Sequence, residues 1–438
     1  MAPLVSYAKA TPVRQDIATF AQDATKLAKF EAAIKEMQDR SKINANDPKG
    51  WLVNAKAHTD FCSNVATNSK QVHFCYWFLT WHRAYLHVTE LKLREISGDQ
   101  SLSHPYWNWT TDRCIPAAYT RSGSPLAHPV RFTPNRPLQP AEIDLREDDP
   151  DLQKLGVAAL SATQFEAAGP DDIAFAFGGI ARPNIFNAYD KSRLEGTPHV
   201  AIHNYVGGGL SATKFGDMTD LNAAARDPIF FAHHANLDRL WEIWRQDPAR
   251  KNTEPRTAAF LNHKFVFPWL DGTSIQVSES DTLDIRKFNY VYDNLQVLRP
   301  GAATLIAAQE AGNSLPPIAT EKLQVPLFPQ SDGPTERKIL QITDVENPKG
   351  PITIGIYIKP DTAPAQDLGI NVGSFAAGLN GGETAWPTKT LSFDITAAAN
   401  KFAGQLLTVQ LIPLRLRAEG AEEYPDLKYG AMRIIARK

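Results

Sequence analysis

The sequence predicts a mainly α protein: a four-helix-bundle core with long loops, followed by a small all-β sandwich. Three observations predict it. Apolar residues recur at three- and four-residue spacing in several segments of the first 245 residues. Beyond about residue 325 the period becomes two. All eleven histidines precede residue 264, so any histidine chemistry belongs to the helical part.

Taken in order, Ile17, Phe20, Ala24, Leu27, Phe30, Ile34 and Met37 predict an amphipathic helix over 17–37. Trp51, Ala55, His58 and Cys62 lie on one stripe of a second helix over 51–62. "YWFLTWHRAYLHVTELKLREI" predicts a longer helix over 76–96, ended by Gly98. "PHVAIHNY" suits a short helix over 198–205. Asp227 and Pro228 offer an N-cap and first helical residue for a helix running to about Arg245. The intervening stretches are rich in proline, glycine and polar residues. Later, Ile352, Ile354, Ile356 and Ile358 alternate with other residues, as do Leu391, Phe393 and Ile395, and Leu407, Val409 and Leu411. The expected division is a helical domain over 1–295, a linker over 296–335 and a β-sandwich over 336–438.

A chain of 438 residues exceeds one ordinary core. Its net charge of -2 gives no electrostatic argument for nucleic acid or a membrane surface, and neither is an expected partner. No apolar run approaches the ~20 residues needed to span a bilayer. "MAPLVSYAKATPVRQD" lacks a basic start and apolar stretch, so the expectation is a cytoplasmic protein, or a mature or recombinant form. Three cysteines, Cys62, Cys75 and Cys114, argue against a disulfide scaffold, although one pair could bridge.

His199 and His203 stand at i and i+4, where two imidazoles on one helix face chelate one metal. His234 follows on another helix. Upstream, His58, His73 and His82 lie on or beside two helices. Each set of three thus draws on neighbouring helices, with large apolar residues around it. The bland alternative for any one histidine is a hydrogen-bonded core residue. No acidic residue sits at ligand spacing, which disfavours a di-iron carboxylate bundle, and HExxH is absent. All-imidazole ligation suits copper, zinc or nickel, and two facing three-histidine sites suit a copper pair with positions open for O2. The doublet in "FFAHHANLDRLW" leaves a choice. His233 shares its stripe with Phe230, Leu237, Leu240 and Trp244; His234 shares its own with Phe231, Asp238 and Trp241. Periodicity does not choose between them. Asp238, one turn on, could orient the His234 imidazole, which leans the choice to His234.

"QVHFCYWFLTWHRAYLHVTE", "SHPYWNWT", "PHVAIH" and "RDPIFFAHHANLDRLW" resemble the signatures of type-3 copper proteins: tyrosinases, catechol oxidases (polyphenol oxidases) and hemocyanins. The resemblance spans roughly residues 10–295. "YIKP", "VGSFA", "LSFDIT" and "LTVQLIPL" more loosely resemble the shielding domain of latent polyphenol oxidases. The resemblance implies two copper ions, with O2 as co-substrate. It makes His58, His73 and His82 the ligands of the first copper and His199, His203 and His234 those of the second. His233 becomes a supporting neighbour. It further implies a thioether between Cys62 and His73, and Glu195 as the residue that holds a water near the metals.

The implied activity is oxidation of small phenolic substrates, o-diphenols to o-quinones, with ortho-hydroxylation of monophenols left open. The family partner of Glu195 is an asparagine directly after the first histidine of the second set. Here it is Val200, which argues against efficient monophenol hydroxylation. Asn204 follows His203, and Val200 and Asn204 are expected to line the substrate entrance. Met218 and Leu221 are expected at the substrate entrance, where the smaller Leu221 would open the mouth. The sandwich is expected to keep the enzyme latent until displaced. A hemocyanin-like O2 carrier and an o-aminophenol oxidase are the alternatives. The oligomeric state is not legible.

Overall fold

The computed structural model describes residues 11–62, 70–131, 137–145, 157–181, 190–208, 215–296, 319–324, 337–346, 352–377, 388–414 and 427–437. Five helices organise the first part: α1 (Ala24–Ile43), α2 (Trp51–Cys62), α3 (Trp77–Ser97), α4 (Ala201–Gly207) and α5 (Ile229–Trp244). The helix expected over 17–37 is two. A short turn spans Ile17–Phe20, and α1 restarts at Ala24 because the Asp23 carboxylate accepts the Lys26 N–H at 2.9 Å. Helix α3 ends where Gly98 adopts φ 69°, a conformation that costs glycine little and other residues more. At the start of α5, the Asp227 carboxylate accepts the Ile229 N–H at 3.1 Å.

Helices α2, α3, α4 and α5 surround one core rich in tryptophan and phenylalanine. A hairpin pairing Lys264–Pro268 with Ser274–Ser278 lays Phe265 and Phe267 against Phe61, and Phe267 also against Trp81 and Tyr85. Val13–Arg14 and Val291–Tyr292 pair in parallel, bringing the two ends of the helical part side by side.

Among the described residues the second part has seven strands: β1 (Ala319–Gln324), β2 (Arg337–Val345), β3 (Ile352–Pro360), β4 (Ile370–Ala377), β5 (Lys389–Asp394), β6 (Leu406–Pro413) and β7 (Met432–Arg437). One sheet runs β1-β6-β3-β4 and the other β7-β2-β5, with a separate apolar core between them. Strand β1 lies inside the expected 296–335 linker. It pairs antiparallel with β6, Ala319 opposite Leu411, so this stretch belongs to the sheet. The remaining linker residues, 297–318 and 325–335, lie outside the described residues. Strand β3 is covered on both faces: Ile354, Ile356 and Ile358 enter the sandwich core, while Thr353, fully buried, turns to the helical part.

The two parts meet on the chain segment that carries His199 and His203. Asn204 Nδ2 donates to Ile352 O (3.3 Å) and Thr353 Oγ1 (3.2 Å). Thr197 Oγ1 donates to Ser374 O (3.4 Å), and Ser374 Oγ donates to Ala141 O (2.6 Å). Lys389 Nζ and Asp190 Oδ1 form an ion pair at 2.5 Å. Clefts of about 730 and 110 Å³ remain along this seam.

Candidate metal centre

The predicted histidines converge in two buried groups. His58, Cys62, His73 and His82 form one; His199, His203, His233 and His234 form the other, and within each the ligand atoms lie within 4.8 Å of one another. The groups face each other. The His82 and His234 rings stack at 4.2 Å, and those of His73 and His199 at 5.7 Å. The Nε2 atoms of His203 and His234 are 3.3 Å apart.

Backbone carbonyls set the orientation of four rings. A carbonyl oxygen only accepts, so the facing Nδ1 must carry the proton and Nε2 keeps its lone pair. His58 Nδ1 donates to Leu221 O (3.0 Å), His82 Nδ1 to Phe78 O (2.7 Å), His199 Nδ1 to Glu195 O (3.0 Å) and His203 Nδ1 to Met218 O (2.7 Å). Nε2 of His58, His73, His82 and His199 has no hydrogen-bond partner although buried. Burial pushes the histidines' pKa values down, His82 to about 3 and His203 to about 4, so they stay neutral at pH 7. Buried, neutral, unpartnered imidazoles aimed at one another are costly without a cation and suited to one. The two groups fit two copper ions.

Phe78 and Phe230 pack against rings of both groups. Phe78 lies 4.6 Å from His199 and 4.9 Å from His82; Phe230 lies 4.1 Å from His234 and 4.8 Å from His58. The sequence reading did not single them out. The expected stripe paired His234 with Phe231, but helical side chains lean toward the N-terminus and bring Phe230 over the ring instead. Phe231 stacks on His104 at 4.8 Å.

Glu195 bridges the groups. Its carbonyl holds His199, while its Oε1 accepts the N–H of Phe74, next to His73, at 2.8 Å. Oε2 is buried without a hydrogen-bond partner. Burial raises the Glu195 pKa, opposed by the Phe74 N–H and by Lys191. Burial first, and Glu195 next, push the Cys62 thiol up.

Asp238 does not orient an imidazole. Its oxygens are taken by Arg14 (2.8 Å), Arg83 (2.5 Å), Tyr290 (2.7 Å) and Tyr292 (2.5 Å). Burial alone would raise its pKa, but Arg83 and Arg14 outweigh it and hold it low. Arg14 also pairs with Glu90 at 2.8 Å, so one guanidinium ties α3 to α5. Asn204 was expected at the entrance, and its amide is instead bonded to the first residues of β3. Val200 is fully buried. Met218 and Leu221 are buried too, and their carbonyls are the groups that meet His203 and His58. No sequence pattern marks such a carbonyl. His233 falls in the second group, its ring 5.1 Å from His203 and 5.6 Å from His199.

Residues 48–247 match the family model described as the common central domain of tyrosinase. The latent, chloroplastic polyphenol oxidase of Prunus armeniaca is 31% identical over 283 residues, covering 60% of this chain and 46% of that protein. The chloroplastic catechol oxidase B of Solanum tuberosum is 28% identical over 301 residues, covering 66% and 50%. The chain thus spans about half the length of the curated relatives it matches. In fold it is similar to the latent apple tyrosinase, with a TM-score of 0.68, 20% identity, and 99% and 98% of the two chains covered. The cytoplasmic expectation is corrected by these comparisons. The polyphenol oxidases of Prunus armeniaca, Malus domestica, Ipomoea batatas and Vitis vinifera that this chain resembles are chloroplastic, not cytoplasmic. Among the described residues no helix is long and apolar enough to cross a membrane.

Proposed function

We propose that this chain, a type-3 copper protein through its central domain, is a polyphenol oxidase that uses O2 to convert o-diphenols to o-quinones. The observation that carries the reading is the pair of buried, facing imidazole groups in which His58, His82, His199 and His203 have their Nδ1 protons committed to backbone carbonyls. His58, His73 and His82 would hold one copper and His199, His203 and His234 the other. A copper pair held there would supply O2 binding and two-electron redox chemistry.

The chain's own groups do the rest. The four carbonyls fix ring tautomers before any metal arrives. Phe78 and Phe230 keep water from the inner faces of the rings. Glu195, with Oε2 unpartnered, is the group suited to take a phenolic proton, and its burial favours proton transfer near neutral pH. Val200 offers no hydrogen bond beside it, so catechols, which ionise more readily once bound, are the better substrates and monophenols the poorer. A Cys62–His73 thioether, joining Sγ to a ring carbon with the two hydrogens and two electrons passing to O2, which leaves as H2O2, would fix the one ring of the first set whose nitrogens both lack partners.

In the division we propose, the helical domain carries the chemistry and the sandwich shields it. Strand β3 sits on Asn204, the residue after His203, and Lys389 clasps Asp190. Latency follows, with release on displacement of the sandwich. The test is to load the full chain with copper, count the metal, and follow O2 uptake and quinone formation from catechol before and after limited proteolysis. Two coppers per chain and turnover that rises on proteolysis support the reading. Reversible O2 binding without turnover, before and after, overturns it for an O2 carrier. Faster turnover of o-aminophenol than of catechol reassigns the substrate.

A further inference from the structure

The segment Gly216–Asn222 touches both histidine groups. The Met218 carbonyl receives the Nδ1–H of His203, in the second set. Three residues on, the Leu221 carbonyl receives the Nδ1–H of His58, in the first set. The next carbonyl, of Asn222, accepts from Thr59 Oγ1 at 2.7 Å, one residue past His58 on α2. At its other end, Gly216 N–H donates to the carbonyl of Gly207, the last residue of α4 (2.6 Å). One short strap therefore spans the helices that carry His58 and His203.

The strap is fastened from outside. Asp217 N–H donates to Val130 O at 3.1 Å, and the Asp217 carboxylate accepts from His128 Nε2 at 2.9 Å. His128 matches no metal-ligand position, lies only partly buried, and has no part in the chemistry derived above. Internally, Thr219 Oγ1 closes back on the Gly216 carbonyl at 2.8 Å. The two orienting carbonyls thus sit on one short turn that the His128–Asp217 contact fastens from outside.

We propose that Asp217 and His128 are positioning residues for both metal half-sites at once, acting through the Met218 and Leu221 carbonyls. The proposal rests on the dicopper reading. A carbonyl that fixes an imidazole's tautomer and direction is worth about 10- to 100-fold in metal affinity when lost. A slack strap therefore weakens the two half-sites together, even though neither Asp217 nor His128 touches a ligand.

The experiment titrates copper-loaded full-length chains with a competing chelator. It counts copper per chain and follows the Cu(II) electron paramagnetic resonance signal of singly occupied sites. Asp217→Ala should release both ions in parallel, at roughly tenfold lower chelator than the parent, with no accumulation of a singly occupied form. Asp217→Asn, which keeps an oxygen for the His128 N–H, should restore retention. His128→Ala should repeat the loss and serves if Asp217→Ala fails to fold, as judged by far-ultraviolet circular dichroism. Retention equal to the parent in folded variants overturns the proposal, and so does loss of one ion through a stable one-copper form. A parent that takes up no copper overturns the dicopper reading as well; a two-copper parent with unaffected variants overturns the strap alone.

Discussion

The Nε2 atoms of His203 and His234 stand 3.3 Å apart in a buried site, and the first turns its lone pair toward the second because its Nδ1 donates to Met218 O. On this convergence we propose His234, rather than its neighbour His233, as the third imidazole of the second set. His234→Ala should leave about one copper per chain, whereas His233→Ala should keep two. Elemental analysis of the purified, copper-loaded variants checks it; the reverse pattern would transfer the role to His233.

Cys62 and His73 fall within one group, and a bond between them leaves a mass signature. Copper-loaded protein exposed to air should be lighter than its sequence by two hydrogens, and a digest should yield the peptides of the two residues joined. Cys62→Ser should restore the full mass. An unmodified mass in active protein removes the thioether.

Val200 stands one residue beyond His199, with Glu195 Oε2 unpartnered in the same segment. Val200→Asn supplies the missing amide for a bridging water. The ratio of tyramine to catechol turnover should rise about tenfold or more, with the ~10²–10⁴-fold worth of a positioned base as the ceiling. An unchanged ratio means that Val200 does not limit monophenol hydroxylation.

The Lys389–Asp190 pair is an ion pair across the seam between sandwich and helical domain. Lys389→Ala should raise catechol turnover of the uncleaved chain several-fold and leave the proteolysed enzyme unaffected. Equal rates in parent and variant before cleavage would show that this clasp does not hold the shield.

Acid should unfold the metal-free chain. Burial lowers the folded-state pKa of His82 and His203 to about 3 and about 4, below the ordinary value near 6.5. The unfolded chain then binds more protons between those limits, so stability is full above about pH 6.5 and falls as pH drops through it. Thermal denaturation of the apo protein from pH 7.5 to 4.5 should show the midpoint falling over that range. A flat profile would contradict the burial.

Much of this was legible because the relevant signals are periodic. Helix α2 has the bounds its stripe predicts, and α3 differs by one residue at each end. Helical spacing and flanking aromatics mark the histidine-bearing helices together, while the choice between His233 and His234 rests on Asp238 and the family resemblance. Asp238 misled for a physical reason: sequence proximity to His234 hides the more distant Arg14 and Arg83, which neutralise it. Asn204 misled likewise, since its partner lies 149 residues away. Strand β1, "ATEKLQ", carries charge suited to an exposed sheet edge and so reads as a loop. The carbonyl acceptors were invisible because every residue has one.

The parallel pairing of Val13–Arg14 with Val291–Tyr292, reinforced by Arg14 stacked 3.7 Å over Tyr290, has an architectural consequence. The helical unit is fastened shut on itself before the chain leaves for the sandwich. A cut beyond residue 296 removes a lid without loosening the box. The same adjacency makes the unit a natural substrate for circular permutation: its two ends can be joined by a short bridge and new ones opened elsewhere on the surface.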